Sequence, residues 1–151
     1  MDKKLYIKPP LVDRSYDWRK GPQPKTRRAL DAFFRSTPIR RVKQAMCEMG
    51  RRIYARGFTD GNGGNLSVRV GEDLVLCSPT LCCKGFMEER DICLVDMAAG
   101  QLCGYRPRTS EVKVSLPRNV SGAVRKGAPP SFHLPVVKPD VEIPVIECIL
   151  K

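Results

Sequence analysis

The chain has 151 residues, a formal charge of +11 and seven cysteines, which bounds it to one domain of ordinary size. No apolar run approaches membrane-spanning length and none near the amino terminus resembles a signal peptide, so a soluble cytoplasmic protein without a membrane partner is expected. The charge is uneven: residues 1–43 carry +9 and the remainder only +2. The excess belongs to an amino-terminal arm, and no recognition helix or RNA-binding motif accompanies it, which argues against a nucleic-acid partner.

The cysteines, at 47, 77, 82, 83, 93, 103 and 148, form no C-x-x-C pair, and several sit in apolar runs such as Ile92-Cys93-Leu94. Reduced, buried thiols behaving as small hydrophobes fit that pattern better than a cysteine-only zinc site.

Residues 1–24 are basic and rich in proline, and read as a flexible arm whose Tyr6, Tyr16 and Trp18 could touch a partner or fold back on the domain, a solvated extension being favoured. Residues 25–35 suit a short helix presenting Leu30, Phe33 and Phe34. A longer helix starts at Thr37-Pro38, an N-cap followed by proline. Ile39, Val42, Met46, Met49 and Ile53 recur at helical steps as one apolar stripe, Arg40, Arg41, Lys43, Glu48, Arg51 and Arg52 cover the rest, and Gly57 ends it.

The stretch Gly57 to Arg69 then carries glycine at 57, 61, 63 and 64 with Asn62, Asn65, Ser67 and Arg69 among them. Exposed N–H groups, amide side chains and a nearby arginine suit an oxyanion such as phosphate, although such turns also occur without a ligand. Leu66, Val68 and Val70 alternate with polar residues, Gly71-Glu72-Asp73 turns the chain, and Leu74 to Cys77 returns as the second strand of a hairpin. Residues 84–91 read as loop or a short helical turn, Ile92 to Val95 as a buried strand and Gln101 to Gly104 as an edge strand. Thr109-Ser110 reads as a helix cap with Glu111 in the first turn, Val112 and Leu116 on one face, and Pro117 as the stop. The last 35 residues hold six of the thirteen prolines, with Phe132 to Val137 and Val141 to Ile146 as possible strands.

Three ordered blocks, Gly64-Asn65-Leu66-Ser67-Val68-Arg69, Ser78-Pro79-Thr80 and Thr109-Ser110-Glu111, together resemble the class II aldolase/adducin N-terminal domain family over about residues 38–116. Members of that family cleave or epimerise small sugar phosphates. The resemblance implies an α/β fold, layered α/β/α around a mainly antiparallel sheet, and homo-oligomeric assembly. It divides the chain into a basic flexible arm (1–37), a partial family domain (38–116) and a divergent proline-rich tail (117–151), with the domain's carboxy-terminal half missing or replaced.

By the same resemblance Asn65, Thr80, Thr109 and Ser110 bind the phosphate of a small sugar, Glu111 is the acid/base group, and zinc is the family's cofactor. Zinc held by imidazoles stabilises an enediolate as a Lewis acid, and a carboxylate beside it moves protons. Two departures stand out. Leu81 occupies a position where the family has glycine. The family's zinc histidines are also absent: His133 is the only histidine, and Lys126 and Ala128 stand where a His-x-His pair would align. The expectation is thus an aldehyde-lyase of the retro-aldol type in a chain that binds no zinc and is impaired, its tail frameshifted or rearranged. The alternative is a non-catalytic adducin-like interaction module.

Overall fold

The computed structural model describes residues 16–59 and 61–113 together with the backbone of 146–149. Its elements are α1 (Arg27–Arg35), α2 (Thr37–Ala55), β1 (Asn65–Arg69), β2 (Leu74–Cys77), two 3-10 turns (Lys84–Phe86 and Glu89–Asp91), β3 (Cys93–Asp96), β4 (Gln101–Cys103) and β5 (Ile146–Ile149). The strands form a single antiparallel sheet in the order β4-β3-β2-β1-β5.

The two faces of this α/β sheet follow from the alternation of side chains along each strand. Leu66, Val68, Val70, Leu74, Leu76, Ile92 and Leu94 share one core cluster with the stripe Ile39, Val42, Met46, Met49 and Ile53 of α2. The opposite face carries Val75, Cys77, Cys93 and Val95, which pack with Ala99 and Val112. Strands β2 and β3 thus each contribute to two cores, which explains why they read as nearly continuous apolar runs.

Helix α2 ends in two linked bonds, Gly57 N–H to Tyr54 O at 2.9 Å and Phe58 N–H to Ile53 O at 3.1 Å. This six-to-one and five-to-two pattern needs a left-handed residue at Gly57, whose φ is +69°, as the sequence predicts. The start differs slightly from expectation: the N-cap is Ser36, and Pro38 falls within the first turn. Ser36 Oγ instead donates to Phe33 O at 2.6 Å, finishing α1.

Two sequence expectations are corrected here. The arm is not solvated throughout its length. Residues 16–24 lie against the β1–β2 hairpin, where Tyr16 is buried and its hydroxyl donates to Val70 O at 2.6 Å. Gln23 Oε1 accepts from Glu72 N–H at 2.7 Å, and Trp18 stacks beneath the Arg69 guanidinium at 4.1 Å. Helix α1 follows and buries Phe33. Apolar and aromatic surface on these residues outweighs their charge, because the basic groups point outward while the rings cover the sheet.

The second correction concerns Lys43, assigned above to the solvated face of α2. It is 6% exposed. Helix α1 packs over that side of α2, and the lysine stem lies in the groove between them.

A strand over Ile146–Ile149 pairs with β1, Asn65 facing Ile149 and Val68 facing Ile146; of the strand expected at Val141 to Ile146, positions 141–145 lie outside the described residues. Leu116, Pro117, the Phe132 to Val137 run and His133 lie outside the described residues.

Candidate functional site

The three sequence blocks meet in space. Leu66 N–H donates to Ser78 Oγ at 3.1 Å and Ser78 N–H to Leu66 O at 2.9 Å, tying the first block to the second. Thr109 N–H donates to Ser78 O at 3.1 Å and Thr80 N–H to Pro107 O at 3.0 Å, tying the second to the third. A single bridge between Pro79 and Arg108 continues the sheet pattern between them. Ser78 is fully buried and holds both neighbours, so a residue that looked like punctuation is the hub of the arrangement.

On this frame three of the five expected site residues touch. Thr109 Oγ donates to Asn65 Oδ1. Asn65 Nδ2 donates to Glu111 Oε2 at 2.6 Å, and Glu111 N–H donates to Thr109 Oγ at 3.3 Å. Asn65 and Thr109 are buried, at 8% and 4% exposure, while Glu111 is half-buried. The circuit orders donors and acceptors without conflict: hydroxyl to amide oxygen, amide nitrogen to carboxylate, backbone back to hydroxyl. Asn65 keeps one amide hydrogen beyond the bond to Glu111, and Ser110, between Thr109 and Glu111, is exposed. Thr80 is half-buried beside the third block, its backbone already committed.

Chemically, such a cluster offers an oriented carboxylate at the surface, neighbouring hydroxyls and an amide whose dipole is fixed. That combination can accept a proton from, or return one to, a bound hydroxyl compound. It can also hold an oxyanion through the Ser110 hydroxyl and the spare amide hydrogen, with the Glu111 charge opposing it.

The arginine of the first block does not join this cluster. Arg69 Nε donates to Gly71 O at 3.1 Å and its Nη2 to Glu72 O at 2.6 Å. It braces the hairpin turn at the far end of β1, so the expectation of an arginine beside the glycine-rich turn is not met. The rise along the strand explains the error: four residue steps of an extended strand separate Asn65 from Arg69 by about 13 Å, more than a phosphate can span. Arg108, unremarked in the sequence, is the nearer cation. Its Nε donates to Ala99 O at 2.6 Å and its Nη1 to Thr109 O at 3.1 Å, which anchors the third block.

Leu81, the departure beside Thr80, has φ +50° and is 77% exposed. The loop retains a backbone conformation that glycine adopts freely and leucine does not. The side chain is accommodated by pointing into solvent.

The neighbouring Cys93 thiol and burial both push Cys77, which precedes Ser78, well above its ordinary value. All six cysteines among the described residues are free. As to zinc, no three His, Cys, Asp or Glu side chains among the described residues are placed to hold a metal ion together. No helix among the described residues is long and apolar enough to cross a membrane.

Comparison with known proteins agrees with the blocks. Residues 44–117 match the class II aldolase and adducin N-terminal domain. A 3-oxo-tetronate 4-phosphate decarboxylase of Haemophilus influenzae is 37% identical over 70 residues, covering 46% of this chain and 33% of that protein. An L-fuculose phosphate aldolase of Methanococcus vannielii is 41% identical over 64 residues, covering 42% and 34% respectively. A solved L-fuculose 1-phosphate aldolase structure superposes with a TM-score of 0.47 at 29% identity, over 51% of this chain and 37% of that one. The chain spans about a third of the length of these curated relatives. Its segment 44–117 belongs to the class II aldolase and adducin N-terminal domain family.

Proposed function

We propose that the chain binds a small phosphorylated sugar or sugar acid at the junction of the three blocks. The family's lyase chemistry takes place on such ligands, and the relatives named above are a sugar-phosphate aldolase and a phosphorylated sugar-acid decarboxylase. In this reading Ser110, Thr80, Thr109 and Asn65 surround the phosphate and Glu111 transfers the proton. The supporting observation is the Asn65–Thr109–Glu111 circuit, which joins residues 44 to 46 positions apart with nothing but polar contacts. Buried polar networks of this kind are costly unless complete, and this one presents its carboxylate to solvent. Zinc is the family's cofactor, and with His133 as the one histidine of the sequence the family's set of zinc histidines cannot be assembled, so turnover by this chain alone is expected to be negligible.

The test is calorimetric titration of the full chain with L-fuculose 1-phosphate and, separately, inorganic phosphate. Saturable binding of the sugar phosphate is expected, weakened ~10-fold in Ser110→Ala, the loss of about one charge-assisted hydrogen bond. A folded chain that binds neither compound overturns the reading. Aldehyde release above a zinc-only control would instead overturn the expectation of negligible turnover.

A second reading, a non-catalytic interaction module, is favoured by the way Asn65 and Glu111 satisfy one another. It predicts that Glu111→Gln leaves every ligand titration unchanged, whereas the first reading predicts altered binding when the opposing charge is removed.

A further inference from the structure

A second polar site lies at the β4 edge of the sheet, away from Asn65 and independent of the reading above. It is a cleft of about 600 Å³ between α1, α2, the Glu89–Asp91 turn and the residues after β4. Residues 27–40 supply much of its wall, and these precede the segment shared with the family.

The amine of Lys43 is set in this cleft. It donates to Phe34 O at 2.8 Å and stands 3.1 Å from the centre of the Phe34 ring. No carboxylate among the described residues lies within ion-pair distance of it, although lysines this deeply buried are ordinarily paired. Burial pushes its pKa down to about 8, Glu89 and Cys103 opposing that shift and Arg40 adding to it.

The charged groups in the rest of the lining are mainly cationic, with Arg27, Arg35, Arg40 and Arg90 set against the carboxylates of Asp31 and Glu89. Arg35, Arg40 and Arg90 face the cleft; Arg40 is held by Glu89 at 3.3 Å and Arg90 by Glu88 at 2.8 Å. Arg27 is spent on Asp31 and on Leu102 O. A ligand entering here meets guanidinium groups at the rim and a primary amine in the wall.

We propose that the cleft is a capture site for small anionic aldehydes, in which Lys43 forms an imine with the carbonyl while Arg35 and its neighbours hold the anion. The nitrogen lone pair adds to the carbonyl carbon, proton transfer gives the carbinolamine, and loss of water leaves the C=N bond. The reaction needs no oxidant or reductant, and the water departs through the open mouth. An amine with an ordinary pKa of 10.5 is ~0.3% neutral at pH 8, whereas one near 8 is about half neutral, a difference of ~100-fold in reactive form.

The experiment uses the full chain at pH 8 with pyridoxal 5′-phosphate as the probe aldehyde, trapping by borohydride and locating labels by peptide mass spectrometry. Lys43 should take label at least ~10-fold faster than the exposed Lys20, Lys25 and Lys113, allowing for slower access to a buried group. Inorganic phosphate should slow that labelling, and pyridoxal without its phosphate should label Lys43 more slowly. Uniform labelling of the surface lysines, or labelling of Lys43 indifferent to both phosphate and the probe's own phosphate, overturns the proposal. Lys43→Met retains the stem and should abolish the fast label; should that variant not fold, the labelling ratio within the native chain decides the matter alone.

Discussion

The Asn65–Glu111 cluster and the Lys43 cleft are two polar features among the described residues, and they are built on opposite principles. In the first, three residues close a circuit: the buried amide is bonded to the hydroxyl and to the carboxylate, and the hydroxyl accepts from the Glu111 N–H. In the second, a buried amine faces a carbonyl and a ring, with its carboxylates held by arginines. A closed circuit lends rigidity and survives on its own bonds. An incompletely compensated charge lowers stability and stores reactivity.

The largest expected effect comes from opening the closed circuit. Asn65→Leu strands a buried hydroxyl and removes the donor to Glu111, so a loss of about 3 kcal/mol is expected in urea unfolding. Glu111→Gln keeps an acceptor in place and should cost less than about 1 kcal/mol. If the two variants were equally destabilised, the circuit would be no more than a set of independent contacts.

The same comparison predicts an opposite response at Lys43, which is read by pH. Its pKa in the folded chain, about 8, lies below the ordinary value of 10.5. Between those values the unfolded chain binds more protons, so this group makes stability rise with pH. From pH 8 to 9.5 the contribution is up to about 2 kcal/mol. Other groups oppose it: burial raises Cys47 and Cys103 to about 11 and Tyr16 to about 12. Their stabilisation is present below the ordinary thiol and phenol values and is lost as pH climbs through the raised ones. The quantity to measure is therefore the difference between the native chain and Lys43→Met. It should shrink from pH 8 to 9.5 if Lys43 is penalised by burial, and stay constant if it is not.

These two features were unequally legible in the sequence. Asn65, Thr109 and Glu111 were readable because a family pattern marks them, and the α2 stripe because its period is helical. Pattern could not reveal that Ser78 links all three blocks, since its role depends on two backbone groups brought together from positions 66 and 109. Lys43 was placed in solvent because it lies off the apolar stripe. What buries it is α1, a separate helix, and no periodicity within α2 reports where another helix will lie. Arg69 was misplaced for a related reason: nearness in sequence became distance along an extended strand.

The amino-terminal segment sharpens the comparison further, because it builds the Lys43 cleft but not the Asn65 cluster. Tyr16→Phe removes a buried hydroxyl from Val70 O, and about 1 kcal/mol of stability with it. The labelling of Lys43 should hardly change if α1 is held by Phe33 and Arg27. Sugar-phosphate binding should not change at all, which calorimetry on the same variant would check.

The smallest effect is expected at Leu81, beside the closed circuit. Its φ of +50° carries a left-handed penalty of about 1 kcal/mol for a side chain bearing Cβ. Leu81→Gly relieves that strain but gives the unfolded chain more freedom to lose, so the net gain should be about 0.5 kcal/mol. Because Leu81 is exposed, no packing is lost to offset it. The more informative reading is ligand affinity: a tighter sugar-phosphate titration in Leu81→Gly would mean that the side chain crowds the anion's approach to Thr80. Unchanged affinity with increased stability would mean that the leucine only strains the loop, and that the phosphate contacts come from the Thr109 side of the junction.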